Sequence, residues 1–227
     1  SPDKTMLGFD LKWNFARHFQ FYSQTVISEF VMEELLARNG WFGNKWAYQG
    51  GLKYIDVAGV KNLDLQLETN VARPYMYTSF DAKNAYVNFN QNMAHPLGAN
   101  FREFVTLWNY EHKRWLFQMQ LNKAMYGVLR YQPTNRLFLK GTAIYAIYGL
   151  DTAGTNFGKD IRLSYQGLYP NNTHGHSIAQ GFKTTLLTAD LLVTYMLKHN
   201  LFLDLQVLFR KTDSELERYT TQTFFVN

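Results

Sequence analysis

The sequence predicts an all-β protein, an antiparallel transmembrane β-barrel or a large piece of one. The first observation behind this is strict alternation. Leu7, Phe9, Leu11, Trp13 and Phe15 are separated by Gly8, Asp10, Lys12 and Asn14. A strand sends successive side chains to opposite faces, so these apolar groups fall on one side. The second is that tight turns alternate along the chain with long polar connections, as in a barrel with short turns at one rim and long loops at the other. The third is length: the clean runs reach about 9–11 residues, what a tilted membrane strand needs, against roughly 5–6 for ordinary strands. A soluble sandwich also alternates. Here, however, the polar faces carry charges and amides, such as Asp64 with Glu68 and Asp204 with Arg210, suited to a wet interior.

The elements follow in order. A hairpin over 6–16 and 19–30 turns at Arg17-His18. Its second strand is less regular, because Ser23 and Glu29 share a side with Phe19, Phe21, Thr25 and Ile27. Residues 31–43 form a long connection with room for a short helix at 31–38. A strand over 44–56 places Trp46, Tyr48, Leu52 and Tyr54 on one face, and a short turn follows at 58–62. The clearest strand is 63–71, with Leu63, Leu65, Leu67 and Val71 against Asp64, Gln66, Glu68 and Asn70. A helix, with its 3.6-residue period, would scatter these groups. Residues 73–99 form a second long loop, where Pro74 and Pro96 argue against a central strand.

A hairpin over 100–109 and 114–124 then turns at Tyr110-Glu111-His112-Lys113. Trp108 and Trp115 flank that turn, where membrane-interface aromatics belong. The third long loop covers 150–180. Another hairpin, over 182–197 and 201–210, turns at Lys198-His199-Asn200, and a weaker strand spans 217–226. One stretch resists this scheme. Tyr110–Gly127 ends Ala-Met-Tyr-Gly, and Tyr131–Gly149 ends Ala-Ile-Tyr-Gly, with too few residues between them to cross a membrane. Either a hairpin is duplicated with a shortened partner or residues are missing near Gly127-Val128; the second is our expectation.

Composition narrows the function classes. No run approaches the ~20 apolar residues of a membrane helix. Mean hydropathy is −0.30, which a barrel tolerates because only alternate residues meet lipid. Aromatic residues make up 17% of the chain, and such rings favour strands and interface girdles. The absence of cysteine removes disulfides, thiolate catalysis and thiolate metal sites. The net charge of +5 is dispersed, with no run resembling a nucleic-acid patch. Ser1-Pro2-Asp3-Lys4 is not a signal peptide. The expectation is therefore a sequence that begins after processing or inside a longer chain.

Catalytic and metal signatures are weak. Asp151–Asp160 holds oxygen ligands and glycines, but its spacing departs from the EF-hand loop, and an Asx/Gly turn explains it. His174-Gly175-His176 reads as a solvated pair. No metal and no cofactor are expected. Asp64 and Glu68 lie about 13 Å apart along one strand at ~3.3 Å per residue, too far for a glycosidase pair. Nucleophile-elbow and phosphate-loop motifs are missing. The expectation is a protein that is not an enzyme.

Several segments carry a resemblance. Gly40-Trp41-Phe42-Gly43-Asn44-Lys45 leads into Gln49–Asp56, Lys61–Glu68 and Arg73-Pro74-Tyr75. Ala94-His95-Pro96-Leu97-Gly98-Ala99-Asn100-Phe101-Arg102-Glu103 and Tyr148-Gly149-Leu150-Asp151 continue it. Together, over about 40–210, the chain resembles the Wzi-like capsule-assembly outer-membrane proteins, most closely their RemB-type gliding-motility branch. The resemblance implies a larger barrel of which this is the C-terminal part. The last residues, Val226-Asn227, lack the usual terminal aromatic, so further sequence is expected beyond them.

The resemblance also implies a non-enzymatic protein of the bacterial outer membrane that attaches or organises capsule or exopolysaccharide, or serves adhesion and gliding. Partners would be outer-membrane lipid, surface polysaccharide and other envelope proteins, with no nucleic acid. Aromatic faces stack on sugar rings, and amides and carboxylates bond their hydroxyls, which makes Trp41, Tyr75, Tyr77, Asn156 and Asp160 candidate glycan contacts. Asp10, Lys12, Asp64, Glu68, Gln118, Gln120, Asp204 and Arg210 would line the lumen. The alternative is a structural subunit of a secretion or motility assembly, and a passive porin ranks third.

Overall fold

In a computed structural model, residues 5–89, 91–128, 173–214 and 218–226 are described. They form eleven strands and one short α-helix, besides two 3-10 turns at Val57–Gly59 and Ala82–Asn84. These are β1 (Leu7–Phe15), β2 (Phe19–Glu29), α1 (Met32–Ala37), β3 (Lys45–Tyr54), β4 (Leu63–Ala72), β5 (Val87–Asn88) and β6 (Gln91–Asn92), then β7 (Phe101–His112), β8 (Trp115–Val128), β9 (Phe182–Lys198), β10 (Leu201–Ser214) and β11 (Arg218–Val226). Nine of the strands make one antiparallel sheet in the order β1-β2-β3-β4-β7-β8-β9-β10-β11. Each strand pairs with the next, β5 and β6 being a separate small hairpin. Among the described residues β1 and β11 are free edges, so the sheet is open.

The tight turns collect at one rim. Phe15 pairs with Phe19, His112 with Trp115 and Lys198 with Leu201. Left-handed residues make these reversals: Ala16 and Arg17, Lys113, and Asn200. The turn expected over 110–113 shrinks to Lys113-Arg114. The strands continue through it because Tyr110 faces Phe117 across the ladder. At the β3–β4 turn, Asp56 and Asp64 accept backbone N–H groups from Asn62 at 2.7 Å and Asp56 at 3.2 Å. The connections β2–β3, β4–β7 and β8–β9 are long and leave from the other rim. β8 runs through Gly127 and Val128, paired with Lys183 and Phe182. The expected repeat over 131–149 lies outside the described residues.

Register sorts the side chains. Phe9, Thr25, Tyr48 and Val71 share one face across β1–β4, and Trp108, Met119, Leu191 and Val207 continue it across β7–β10. This face is apolar and open to the surroundings, with Phe9 63% and Leu205 48% exposed. Toward the tight turns it becomes a row of rings. Phe15 stacks on Phe19 at 5.6 Å, Phe19 on Tyr54 at 4.3 Å, and Trp115 lies 4.5 Å from Tyr195.

The opposite face is mostly polar, and many of its groups bond one another. Gln24 donates to Asp10 at 2.8 Å, Thr194 to Asp204 at 2.6 Å, and Gln206 to both oxygens of Asp190 at 2.9 Å. Gly51 sits between Tyr22 and Glu68 in the ladder. A Cβ on Gly51 would meet the Tyr22 ring at 2.1 Å. The missing side chain lets the phenol lie flat over β3 and donate to Glu68 at 2.5 Å. Near the loop rim the same face turns small and apolar with Ala47, Ala72 and Ala124, and Phe101 closes it.

This bridge gives a stability prediction. Tyr22→Phe strands the Glu68 carboxylate of one donor and costs about 1–3 kcal/mol. Gly51→Ala displaces the ring and costs a similar amount, and the double variant loses less than the sum. Denaturant midpoints of the three variants against wild type test this; additive losses would mean that the two positions act separately.

Candidate functional site at the long-loop rim

The long connections are not independent loops. Residues 30–44, 73–89, 91–100 and 173–181 form one cap. Its seams are backbone hydrogen bonds: Phe42 N–H to Thr173 O at 2.9 Å, Gly175 N–H to Asn39 O at 2.8 Å, and His176 N–H to Gly40 O at 2.9 Å. Gly40 is required there. Its φ is +72°, and a Cβ would meet the His176 backbone at 2.7 Å.

Arg73, the first residue after β4, is the hub. Its guanidinium donates to the carbonyls of Trp41 and His176, each at 3.3 Å. Its own carbonyl accepts from Met76 N–H and Asn100 N–H. Burial pulls the guanidinium's pKa below its ordinary value. Asn100 and Gln180 add a reciprocal pair, Asn100 Nδ2 to Gln180 O at 3.0 Å and Gln180 N–H to Asn100 Oδ1 at 3.1 Å.

The 73–100 connection folds against the polar face. Met76, Tyr77, Leu97 and Ala99 pack on Ala47, Ala72, Phe101 and Ala124 of the wall. The small wall residues make room for this approach. A polar chain crosses the same contact. His95 Nε2 lies 2.9 Å from Glu103, and Asn70 Nδ2 donates to Glu103 at 3.1 Å and to Glu68 at 2.9 Å. His95 also stacks on Phe101 at 4.5 Å. The loop is thereby fixed to β4 and β7 by a ring, a carboxylate and an amide.

The sequence-predicted residues distribute as follows. Asp10, Lys12, Asp64, Glu68, Gln118, Gln120, Asp204 and Arg210 all lie on the polar face. The Nε of Arg210 is buried and has no hydrogen-bond partner among the described residues. The expected glycan contacts need correction. Tyr75 is 1% and Tyr77 8% exposed, and a ring without a free face cannot stack on a sugar. Tyr75 instead meets Phe42 and His176 edge-on, at 6.0 and 5.5 Å. Tyr77 stacks on Tyr86 at 6.1 Å. Trp41 is half-buried, its ring against the Gly43 backbone. Asn156 and Asp160, with the oxygen-rich 151–160 loop, lie outside the described residues.

The cap's open rings are elsewhere. Phe89, at the tip of the β5–β6 hairpin, is 93% exposed, and Tyr86 and Phe80 are partly so. Asn88 and Gln91 flank that tip. His174 and His176 are not a chelating pair. His174 turns to Glu34 at 3.3 Å, and His176 to Gln180 at 2.7 Å and to the Tyr75 ring. Among the described residues no group of three or more His, Asp or Glu side chains is arranged to hold a metal. Sequence reasoning missed Arg73, Asn100 and Gln180 as fasteners. The usable signal was Arg-Pro directly after a clean strand, where a buried cation needs loop carbonyls. Comparison with known protein families, curated proteins and solved structures finds no match to this chain.

Two predictions follow from this geometry. Arg73→Ala removes two charge-assisted bonds, both from Nη2, each worth about 1.5–3 kcal/mol, and Arg73→Lys fails to replace both because its ammonium ends one bond short of the Nη2 position. Limited proteolysis should cut within 39–42 or 173–181 at least tenfold faster in both variants while the sheet stays protected. The second concerns alkali. Burial, with a further push from the neighbouring Tyr86 phenolate, raises Tyr77 to about 12, above its unfolded value near 10. The folded form holds its proton longer, so this stabilisation is complete below pH ~10 and is lost as pH rises through about 12. Tyrosinate absorbance should show a late-ionising group that Tyr77→Phe removes.

Proposed function

We propose that this chain supplies wall and cap of a bacterial outer-membrane β-barrel that attaches or organises surface polysaccharide, in the service of adhesion or gliding, without catalysing a reaction. The observation that carries this reading is the two-sidedness of the sheet. Rows of four or five side chains, mostly apolar, each drawn from seven to nine consecutive strand residues, stand on its open face, about 20–27 Å at ~3.3 Å per residue, close to the ~25 Å apolar band of membrane barrels. Across β1–β4 and β7–β10 this face covers on the order of 900 Å², beyond the roughly 300–600 Å² patch of a soluble monomer. Lipid is the solvent that such a face suits.

The polysaccharide part rests on the cap and on the resemblance to Wzi-like proteins. An ordered cap with exposed Tyr86 and Phe89 rings beside Asn88 and Gln91 offers stacking faces and amide bonds and little charge. A second reading, a structural subunit of an envelope assembly, draws on α1. There Met32, Leu35 and Leu36 are exposed with Phe30 and Val31 beside them, an apolar knob suited to a protein neighbour.

The test is extraction in detergent followed by gel mobility with and without boiling, then retention on immobilised polysaccharide. The reading expects a heat-modifiable band and retention that Phe89→Ala and Tyr86→Ala weaken about three- to tenfold. Solubility without detergent would overturn the membrane part. Absence of glycan retention, with envelope proteins co-purifying until Leu36→Glu, would favour the second reading.

A further inference from the structure

Every tight turn at one rim of the sheet carries an exposed cation. Arg17 sits in the β1–β2 turn, Lys61 in the β3–β4 turn, Lys113 and Arg114 between β7 and β8, and Lys198 at the start of the β9–β10 turn. The strand order brings all of them to the same end, because each of these turns follows a strand running in the same direction. Few carboxylates answer them. Glu111 is exposed, and Asp56 and Asp64 keep their charge while accepting backbone N–H groups inside the β3–β4 turn, so five cations stand against three carboxylates. The other rim mixes signs, with Glu29 on Lys45 at 2.9 Å and Glu33 and Glu34 close in sequence to Arg38.

Successive turns are two strand widths apart, about 10 Å, near the Debye length of ~8 Å at physiological salt. The rim is therefore net positive, most strongly where the β7–β8 turn, with Lys113 and Arg114, neighbours the β9–β10 turn, with Lys198, and the fields of these turns strengthen at low salt. Directly behind that edge, on the apolar face, runs the row of rings: Phe15 and Phe19 beside Arg17, Trp115 beside Arg114, and Tyr195 across from Trp115.

We propose that this rim is a docking surface for anionic phospholipid headgroups. The proposal rests on the membrane reading above. A cation beside an interfacial ring is the pairing that holds a phosphodiester: the ammonium or guanidinium takes the phosphate oxygens, and the ring lies at the acyl boundary. A zwitterionic headgroup brings its own ammonium to the same phosphate, whereas an anionic one leaves a net charge for the rim to meet. An acidic protein would engage the cations but leave the rings behind them unmatched.

The experiment uses the full chain, folded in vesicles of phosphatidylcholine mixed with phosphatidylglycerol, one or the other brominated on its acyl chains. Tryptophan quenching then reports which lipid lies against the protein. The expected result is several-fold stronger quenching by brominated phosphatidylglycerol than by brominated phosphatidylcholine at equal mole fraction in low salt. The preference should shrink in 0.5 M NaCl and fall to near-equal quenching in Lys113→Glu/Arg114→Glu and, independently, in Arg17→Ala/Lys198→Ala. A heat-modifiable band for each variant shows that it folds. Equal quenching by the two lipids at low salt, or a preference that survives both double variants, overturns the proposal while leaving the membrane reading intact. No quenching by either lipid overturns both.

Discussion

Eight neighbouring strands, β1–β4 and β7–β10, keep their side-chain alternation in phase, and the rest of the structure depends on it. A one-residue slip in any pair would carry every later apolar row to the polar face. The two register shifts show how tightly this is held. One falls between Ile27 and Glu29, at the loop end of β2, and the other between Leu201 and Phe202, at the turn end of β10. Both lie at strand ends, where the extra residue is absorbed beside a turn or loop and the band between stays coherent.

The two faces solve different problems. On the polar face the groups bond one another, as Tyr22, Glu68, Asn70 and Glu103 do across four strands. That face becomes a scaffold onto which a loop can be fastened. The apolar face has no such internal solution, since its rows stand open while the described core collects under the 73–100 loop. The hydrophobic term that would normally fold a domain is thus only partly used within this chain, and the remainder awaits whatever apolar surroundings the sheet meets. Arg73 joins the two regimes: it is one peptide from the end of β4 and holds the cap by its guanidinium.

How much of this could be read in the sequence depended on how local the cause was. The 63–71 strand was legible because alternation is a property of neighbours, and it recurs as Leu63–Ala72. The eight lumen candidates were sorted to one face for the same reason. The cap was not legible. Its order comes from partners far apart in sequence, such as Arg73 with His176 and Asn100 with Gln180, and periodicity carries no record of them. The burial of Tyr75 and Tyr77 was hidden likewise. An aromatic in an Asn-rich loop reads as exposed until the loop is known to fold against Ala47 and Ala72. The pairing of β8 with β9 across the 129–181 stretch also had no local signal.

The strand count carries a constraint of parity. β1 leads from the loop rim to the turn rim, and eight antiparallel steps later β11 leads the same way. Bringing these two edges together directly would make a parallel seam, with slanted and less favourable bonds in an otherwise antiparallel ring. A fully antiparallel closure needs an odd number of further strands between them. The handedness of up and down in this sheet therefore restricts what can complete it, whichever chain supplies the strands.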